Sequence, residues 1–564
     1  MKRKLFSVTM SLLILTTSAF GAVELTNQEK DFSIRNVKAK NGIVASASPL
    51  ASKIGLTILE RGGNAVDAAV ATAFTLGLTE PDASGPGGGG YMLTNINGKQ
   101  LAYDYEEHAP EAITYDLWHK IKKNKTYFKN GNGFVVPGFV AGMLEALEKQ
   151  GTMTIAEVLQ PVIEVAENGF EVTPTLADII SLEYEKIEGN DNAAKVFLNE
   201  GLPYTAGEVI KNPDYAEMLK RIVKNGRDGF YKGETAKAII NASNLITQKD
   251  LDNYKPKILT PISTDYRGYK VMTMPPESCG VAVLEILNIV ENYDLKKMGV
   301  NDPKLFYLWG EAMNLAHIDR YTYVGDTAFE DVPTEVLISQ EYADMRKGQI
   351  NMKKAAGRIP AGYITKGTNK NIGTWTFETP STTHVSIIDK DGNAVSMTNT
   401  LGHFFGSGDV PEGTGMVMNS HFTNFSYASD YPVNSVKPGK TPRSTMSPTM
   451  VFDKKGSLKL VVGSPGGARI LSTVPYVISN VIDQEMDIQD AINFPRVHKV
   501  HGKFYLEGGL SPKVTKYLES KDEQLTKKGK TDLYFGGVQA IEVMEDGTYE
   551  GGADPRRDGK ALGY

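Results

Sequence analysis

Residues 378–408 read E-T-P-S-T-T-H-V-S-I-I-D-K-D-G-N-A-V-S-M-T-N-T-L-G-H-F-F-G-S-G. Apolar residues alternate on both sides of Lys390-Asp391-Gly392-Asn393, and Asp-Gly is a strong hairpin turn signal. A tight turn pairs Lys390 with Asn393. That register sets Thr383 opposite Thr400, with Thr382 beside the pair. Two threonines at the mouth of a hairpin suggest a nucleophile and a hydroxyl that orients it. A threonine hydroxyl is a weak nucleophile without an adjacent base, and an N-terminal threonine supplies that base from its own α-amine. Thr382 is internal as written, so this chemistry requires a break between Ser381 and Thr382. The plain alternative is a set of ordinary strand threonines, since Thr is common in strands.

Downstream, Leu458 to Val462 reads as a strand that runs into Ser464-Pro465-Gly466-Gly467, and Ala468 to Ile482 as a helix. Two glycines between a strand and a helix leave open main-chain N–H groups at the positive end of a helix dipole. Such a turn suits an oxyanion hole, and it also suits a plain strand–helix connection. Upstream, Pro49 to Glu60 has helical spacing and ends at Gly62-Gly63, and Asn64 caps an Ala-rich helix to Leu78. Gly85 to Gly90 lacks a Gly-Lys-Ser/Thr ending and opens no helix. It therefore reads as close backbone packing against a strand, not as a phosphate loop. Phe139 to Lys149 and a segment within 151–170 are amphipathic helices, and 301–345 is helical.

Bulk properties narrow the class. The chain has 564 residues, a formal net charge of −6 and one cysteine, Cys279. The absence of basic blocks argues against nucleic acid, and the scattered histidines give no metal-ligand spacing. Met1-Lys2-Arg3-Lys4, an apolar run from Leu5 to Thr17 and Ala19-Phe20-Gly21 form a secretory leader over 1–21, too short to span a bilayer. The mature chain is expected to be exported, periplasmic or extracellular, with no membrane span. Ala355 to Thr376, rich in Gly, Lys and Thr, reads as a flexible lead into the cut.

The hairpin stretch, together with E-R-G-G-N-A-V-D-A-A-V-A (60–71), G-G-G-G-Y-M-L (87–93), S-P-G-G (464–467) and G-G-A-D-P-R-R-D-G (551–559), resembles the γ-glutamyltransferase family of N-terminal nucleophile hydrolases. The resemblance runs from about Gly42 to Tyr564. It implies an α+β fold, a four-layer αββα sandwich, as one domain made of two chains. Residues 22–381 become the large subunit and 382–564 the small catalytic subunit after self-cleavage at Ser381-Thr382. Thr382 is then the nucleophile, Thr400 orients it, and Gly466 and Gly467 form the oxyanion hole. No cofactor or metal is implied. The partners are a γ-glutamyl amide and either water or an amine acceptor.

The substrate positions depart from the family pattern. Carried over one at a time, the positions that hold the donor's α-amine are Gly402, His421 and Asn424, and all three differ. The carboxylate positions are Glu106, Ser444 and Thr445, so the family's arginine is here a glutamate. An uncharged Asn424 suits a donor without a free ammonium, because a buried carboxylate without a cation is costly. Arg443 and Arg556 are candidate replacements for the lost arginine. The segment between Asn424 and Ser444 is also short, which opens the site. These departures resemble the CapD-type branch, which cleaves poly-γ-glutamate and transfers the fragments. The alternatives are a glutathione hydrolase/γ-glutamyltransferase acting on small γ-glutamyl peptides, a sister acylase on another amide, and an exported binding protein on the same scaffold.

Overall fold

A computed structural model describes residues 23–123, 131–364, 381–426 and 432–564. The expected leader lies outside the described residues. So do residues 365–376 of the expected lead and residues 427–431 of the short segment after Asn424. No helix among the described residues is long and apolar enough to cross a membrane.

The strands of the two large sheets are, in chain order, β1 (Val37–Ala39), β2 (Ile43–Ser46), β3 (Gly89–Ile96), β4 (Lys99–Asp104), β5 (Lys257–Leu259), β6 (Ile262–Tyr266), β7 (Tyr269–Thr273), β8 (Thr383–Ile388), β9 (Ala394–Thr400), β10 (Thr449–Phe452), β11 (Leu458–Gly463), β12 (Gln539–Val543), β13 (Tyr549–Ala553) and β14 (Lys560–Gly563). Among the described residues they form two seven-stranded sheets, ordered β1-β13-β12-β11-β10-β7-β6 and β14-β2-β8-β9-β3-β4-β5. The hairpin β8–β9 occupies the middle of the second sheet and packs on β11 and β12 of the first.

Helices cover both outer faces. The second sheet is covered by α1 (Pro49–Glu60), α2 (Ala65–Thr79), α3 (Phe139–Gln150) and α4 (Ile155–Asn168). The first is covered by α5 (Gly280–Glu291), α6 (Pro303–Tyr323) and α7 (Ile470–Ile482). The result is the helix–sheet–sheet–helix sandwich expected from the sequence. Asn64 caps α2 as anticipated, accepting from the N–H groups of Val66 and Asp67. The glycine run behaves as close packing: a Cβ on Gly88 would stand 2.2 Å from the Thr400 carbonyl oxygen.

Period-two alternation in β8 sorts its side chains. Val385 and Ile387 join the core under α1 and α2. His384 and Ser386 point between the sheets, where the His384 ring meets Thr398 Oγ1 at 2.8 Å and Ser386 Oγ at 3.1 Å. Burial lowers His384 to about 3, so the ring is neutral.

The hairpin register differs from the expected one. Thr383 pairs with Asn399 and Ile388 with Ala394, which leaves a five-residue loop from Asp389 to Asn393. The cause is the Asp389 side chain. Its Oδ1 accepts from the N–H groups of Asp391 and Asn393, and its Oδ2 accepts from Asn393 Nδ2. Oδ2 also accepts from the Ala65 N–H at the start of α2, which anchors the loop. The one-residue slip brings Thr382, not Thr383, level with Thr400.

Candidate active site

Thr382 Oγ1 donates to Thr400 Oγ1 at 2.9 Å, and the Gly402 N–H donates to the same oxygen at 2.9 Å. Thr400 therefore fixes the Thr382 hydroxyl from below, the arrangement expected of a positioned nucleophile. Thr382 has φ 106°, a left-handed conformation that a β-branched residue adopts only under constraint. The constraint comes from both neighbours. Ser381 Oγ donates to the Asp82 carbonyl at 3.2 Å, and Thr383 Oγ1 donates to Glu80 Oε2 at 2.5 Å. One turn after α2 thus holds the residues on either side of Thr382. Burial, then the Asp82 charge, pushes Glu80 up to about 8. Burial raises Asp82 to about 7 against the pull of the Arg557 guanidinium. The sequence reading had assigned neither acid a role. The trace in the sequence is a pair of acids just after the Ala-rich helix.

A cleft opens beside Thr382. Thr400, Gly402, His403, His421, Asn424, Arg443, Ser444, Thr445 and Gly467 share its lining. The Ser-Pro-Gly-Gly turn enters a 3-10 turn, Gly467–Arg469, before α7, so the α-helix starts two residues later than the sequence suggested. Gly466 and Gly467 take φ 129° and 55°, and neither N–H is paired among the described residues. Gly467 reaches the cleft itself, and Gly466 stands immediately behind it.

Two of the expected substrate residues have other commitments. Arg556 is not brought to the cleft: its guanidinium is paired with Glu507 at 2.5 Å and Asp554 at 3.1 Å, and it is 3% exposed. The local reason is a buried acidic pair that needs a cation. Arg443 is buried rather than displayed on the surface. Its Nη1 donates to the carbonyls of Arg320, Tyr321 and Val324, and it lies 4.6 Å over the Tyr321 ring. Asn434 closes the short segment by bonding the Asn424 carbonyl at 2.7 Å and the Arg443 N–H at 2.9 Å.

Glu106 is fully buried, as are Glu107 and His421 next to it. His421 Nδ1 stands 2.6 Å from Glu107 Oε2 and 3.4 Å from Glu106 Oε1. The Ser444 hydroxyl adjoins Glu106 and opposes the rise of its pKa. Burial first, and the neighbouring acids second, hold both carboxyls well above the usual carboxylate range. Burial lowers His421, and the Glu106 charge opposes that. One donor atom from each of these three residues lies within 4.8 Å of the others, the one group among the described residues compact enough to grip a metal ion. Glu107 is not singled out by the sequence, although it stands beside Glu106 in the run Leu101 to Pro110. The Cδ2–Nε2 edge of His421 faces Gly402: a Cβ there would come 2.7 Å from Cδ2 and 3.3 Å from Nε2. Gly402 and His421 are therefore sterically coupled, since the ring fills the room that a side chain at 402 would take.

The family model described as gamma-glutamyltranspeptidase matches residues 51–564. A glutathione hydrolase proenzyme of Escherichia coli (strain K12) is 39% identical, covering 94% of this chain and 93% of its own length. The capsule biosynthesis protein CapD proenzyme of Bacillus anthracis is 32% identical, covering 98% and 97%. Among solved structures, a cephalosporin acylase from Bacillus halodurans superposes with a TM-score of 0.84 at 29% identity, covering 98% of this chain and 99% of the other.

Proposed function

The chain belongs to the γ-glutamyltranspeptidase family, and from that premise we propose that it cuts itself before Thr382 and then transfers γ-glutamyl groups from amide donors to water or an amine. The observation that carries this reading is the Thr382–Thr400 contact of 2.9 Å, at a threonine held in a strained conformation beside the cleft. In self-cleavage, Thr382 Oγ1 adds to the Ser381 carbonyl carbon and the Ser381–Thr382 C–N bond breaks. The acyl group passes to Oγ1, and the hydroxyl proton passes to the Thr382 nitrogen as it leaves. Water hydrolyses the ester and frees an N-terminal Thr382. Its α-amine is then the base for the hydroxyl.

Turnover repeats the same chemistry on the donor. Thr382 Oγ1 attacks the γ-carbonyl, the N–H groups of Gly466 and Gly467 receive the oxyanion, and the leaving amine takes the proton. Water or an acceptor amine then releases the acyl group. The hydroxyls of Ser444 and Thr445 and the Asn424 amide are the polar contacts available to the donor's far end.

Two donor classes compete. The uncharged Asn424, the short segment after it and the CapD relative support a poly-γ-glutamate donor. The carboxyls of Glu106 and Glu107 behind the same wall, three of whose four oxygens lack a hydrogen-bond partner, support a small donor with a free ammonium, such as glutathione. Purified protein is incubated with each and followed by mass spectrometry. Two chains, one starting at Thr382, with either donor consumed, bear out the family chemistry. A shortened polymer with glutathione untouched selects the polymer, and the reverse selects the small donor. A single uncut chain that consumes neither donor rejects the reading.

A further inference from the structure

We propose that Glu106 and Glu107 are the receptor for a protonated amine on the acyl donor, so that the charged group this site selects is an ammonium and not a carboxylate. The proposal rests on the γ-glutamyl transfer reading above and identifies the group by which the donor is held.

The first observation is a deficit of positive charge. Asp104, Glu106, Glu107, Glu277 and Asp326 are all at most 3% exposed. Lys257 is the cation among them, and it is used by Asp104 at 3.3 Å, Glu277 at 3.1 Å and Asp326 at 3.8 Å. No lysine or arginine pairs with Glu106 or Glu107 among the described residues, and His421 is their nearest base.

The second observation is independent of charge. Both oxygens of Glu106 and Oε1 of Glu107 are buried without a hydrogen-bond partner. A buried carboxyl oxygen left unsatisfied is unfavourable, and protein interiors rarely keep one unless a water, a ligand or an ion completes it. An ammonium carries three N–H donors and a charge of the right sign.

The third is position. Ser444 adjoins Glu106 and His421 touches both carboxyls, and these two residues line the cleft next to Thr382. The acids therefore stand one side chain behind the wall that the donor meets. The same wall serves a carboxylate poorly. Nη1 of Arg443 already serves three main-chain carbonyls and the guanidinium lies over the Tyr321 ring, which leaves its Nε as the one buried guanidinium N–H without a partner among the described residues, against three such oxygens on Glu106 and Glu107.

Three p-nitroanilides of equal chain length test this. The γ-glutamyl anilide carries both charged groups, the 4-aminobutyryl anilide lacks only the carboxylate, and the glutaryl anilide lacks only the amine. The assay uses the self-cleaved two-chain protein in the presence of EDTA. Loss of the carboxylate should lower kcat/KM by less than about tenfold, and loss of the amine by about a hundredfold or more, because a polar site rejects the analogue that leaves its buried groups unpaired. Glu106→Gln should narrow the ratio between the two deletion anilides, and Glu106→Arg should invert it. Glutaryl turnover equal to or faster than 4-aminobutyryl turnover in the unaltered protein overturns the proposal and leaves γ-glutamyl transfer standing. Turnover of none of the three by self-cleaved protein overturns the proposal, and it overturns γ-glutamyl transfer as well if poly-γ-glutamate and glutathione are also left intact. The wild-type comparison needs no variant, so a misfolded Glu106 variant does not shelter the idea.

Discussion

Glu80, half-buried, and Glu106, fully buried, each stand beside a hydroxyl close to Thr382, yet they are in opposite states. Glu80 accepts a 2.5 Å hydrogen bond from Thr383, whereas Glu106 has no partner on either oxygen. Glu80 is therefore finished as a piece of structure: it helps to hold the strained Thr382. Glu106 is unfinished, and the missing part is a group that arrives from the cleft. The difference teaches how to read buried acids. The direction of the pKa shift distinguishes nothing, since desolvation pushes both carboxyls up. The account of partners separates scaffold from receptor.

The largest expected effect tests the hinge of that comparison. Thr382→Ala should abolish self-cleavage and turnover together, read as a single band on a denaturing gel. A variant that still yields two chains places the nucleophile elsewhere. Next, Glu80→Ala should slow self-cleavage by about tenfold or more in a gel time course, since it releases Thr383 and leaves a buried hydroxyl unpaired, a loss of about 1–3 kcal/mol. Glu80→Gln keeps an acceptor and should restore most of the rate. If the alanine variant cleaves as fast as the unaltered chain, the clamp on Thr382 is not what prepares it. Gly402→Ala should cost less, about tenfold in kcat/KM. Its φ is +92° and its Cβ would meet His421 Cδ2 at 2.7 Å, displacing both the ring and the N–H that holds Thr400.

A pH series sharpens the contrast further. Glu80 and Asp82 titrate at about 8 and about 7 in the fold, above the 4.5 and 3.8 of the unfolded chain. Their contribution is fully present below the unfolded values and is lost as pH rises through the folded ones. Melting temperature should fall from pH 5 to pH 9, and Glu80→Gln should flatten that slope. The buried histidines act with the opposite sign. His108 is depressed to about 4, and His384 and His403 to about 3, so their contribution is present above 6.5 and lost as pH falls toward those values. Melts that do not fall on the acid side would mean these rings charge without cost. The smallest effect belongs to Glu106→Gln, which removes an unpaired carboxyl and should leave the melting temperature unchanged or slightly higher, where Glu80→Ala lowers it.

The sequence made most of the scaffold legible, because the relevant signals are local. α1 runs over the expected residues, and Asn64 caps α2 as read. The hairpin was readable as a hairpin and missed by one residue in register. Asp-Gly marks the turn, but the Asp389 side chain decides how many residues the loop holds. The site wall was harder to read because distant segments build it. His421 and Glu107 are 314 residues apart, and Thr383 and Glu80 are 303 apart. Glu106 was legible as a departure, and Arg443 and Arg556 as spare cations. What no sequence pattern states is that Arg556 is used by Glu507 and Asp554, and that both oxygens of Glu106 lack a hydrogen-bond partner.

The strand order has a mechanical consequence for the severed protein. A break before Thr382 assigns β8 to β14 to one piece and β1 to β7 to the other. Across the second sheet the pieces then alternate, with β2 gripped between β14 and β8, and β9 joined to β3. In the first sheet, β1 and β7 flank a run of four strands from the later piece. Neither piece can slide free without tearing ladders from the middle of a sheet. Dilution should therefore not dissociate them, and two separately made halves would have to thread each other to rebuild the sandwich. A continuous precursor spares the protein that entanglement problem: it weaves the fabric first and snips the thread afterwards.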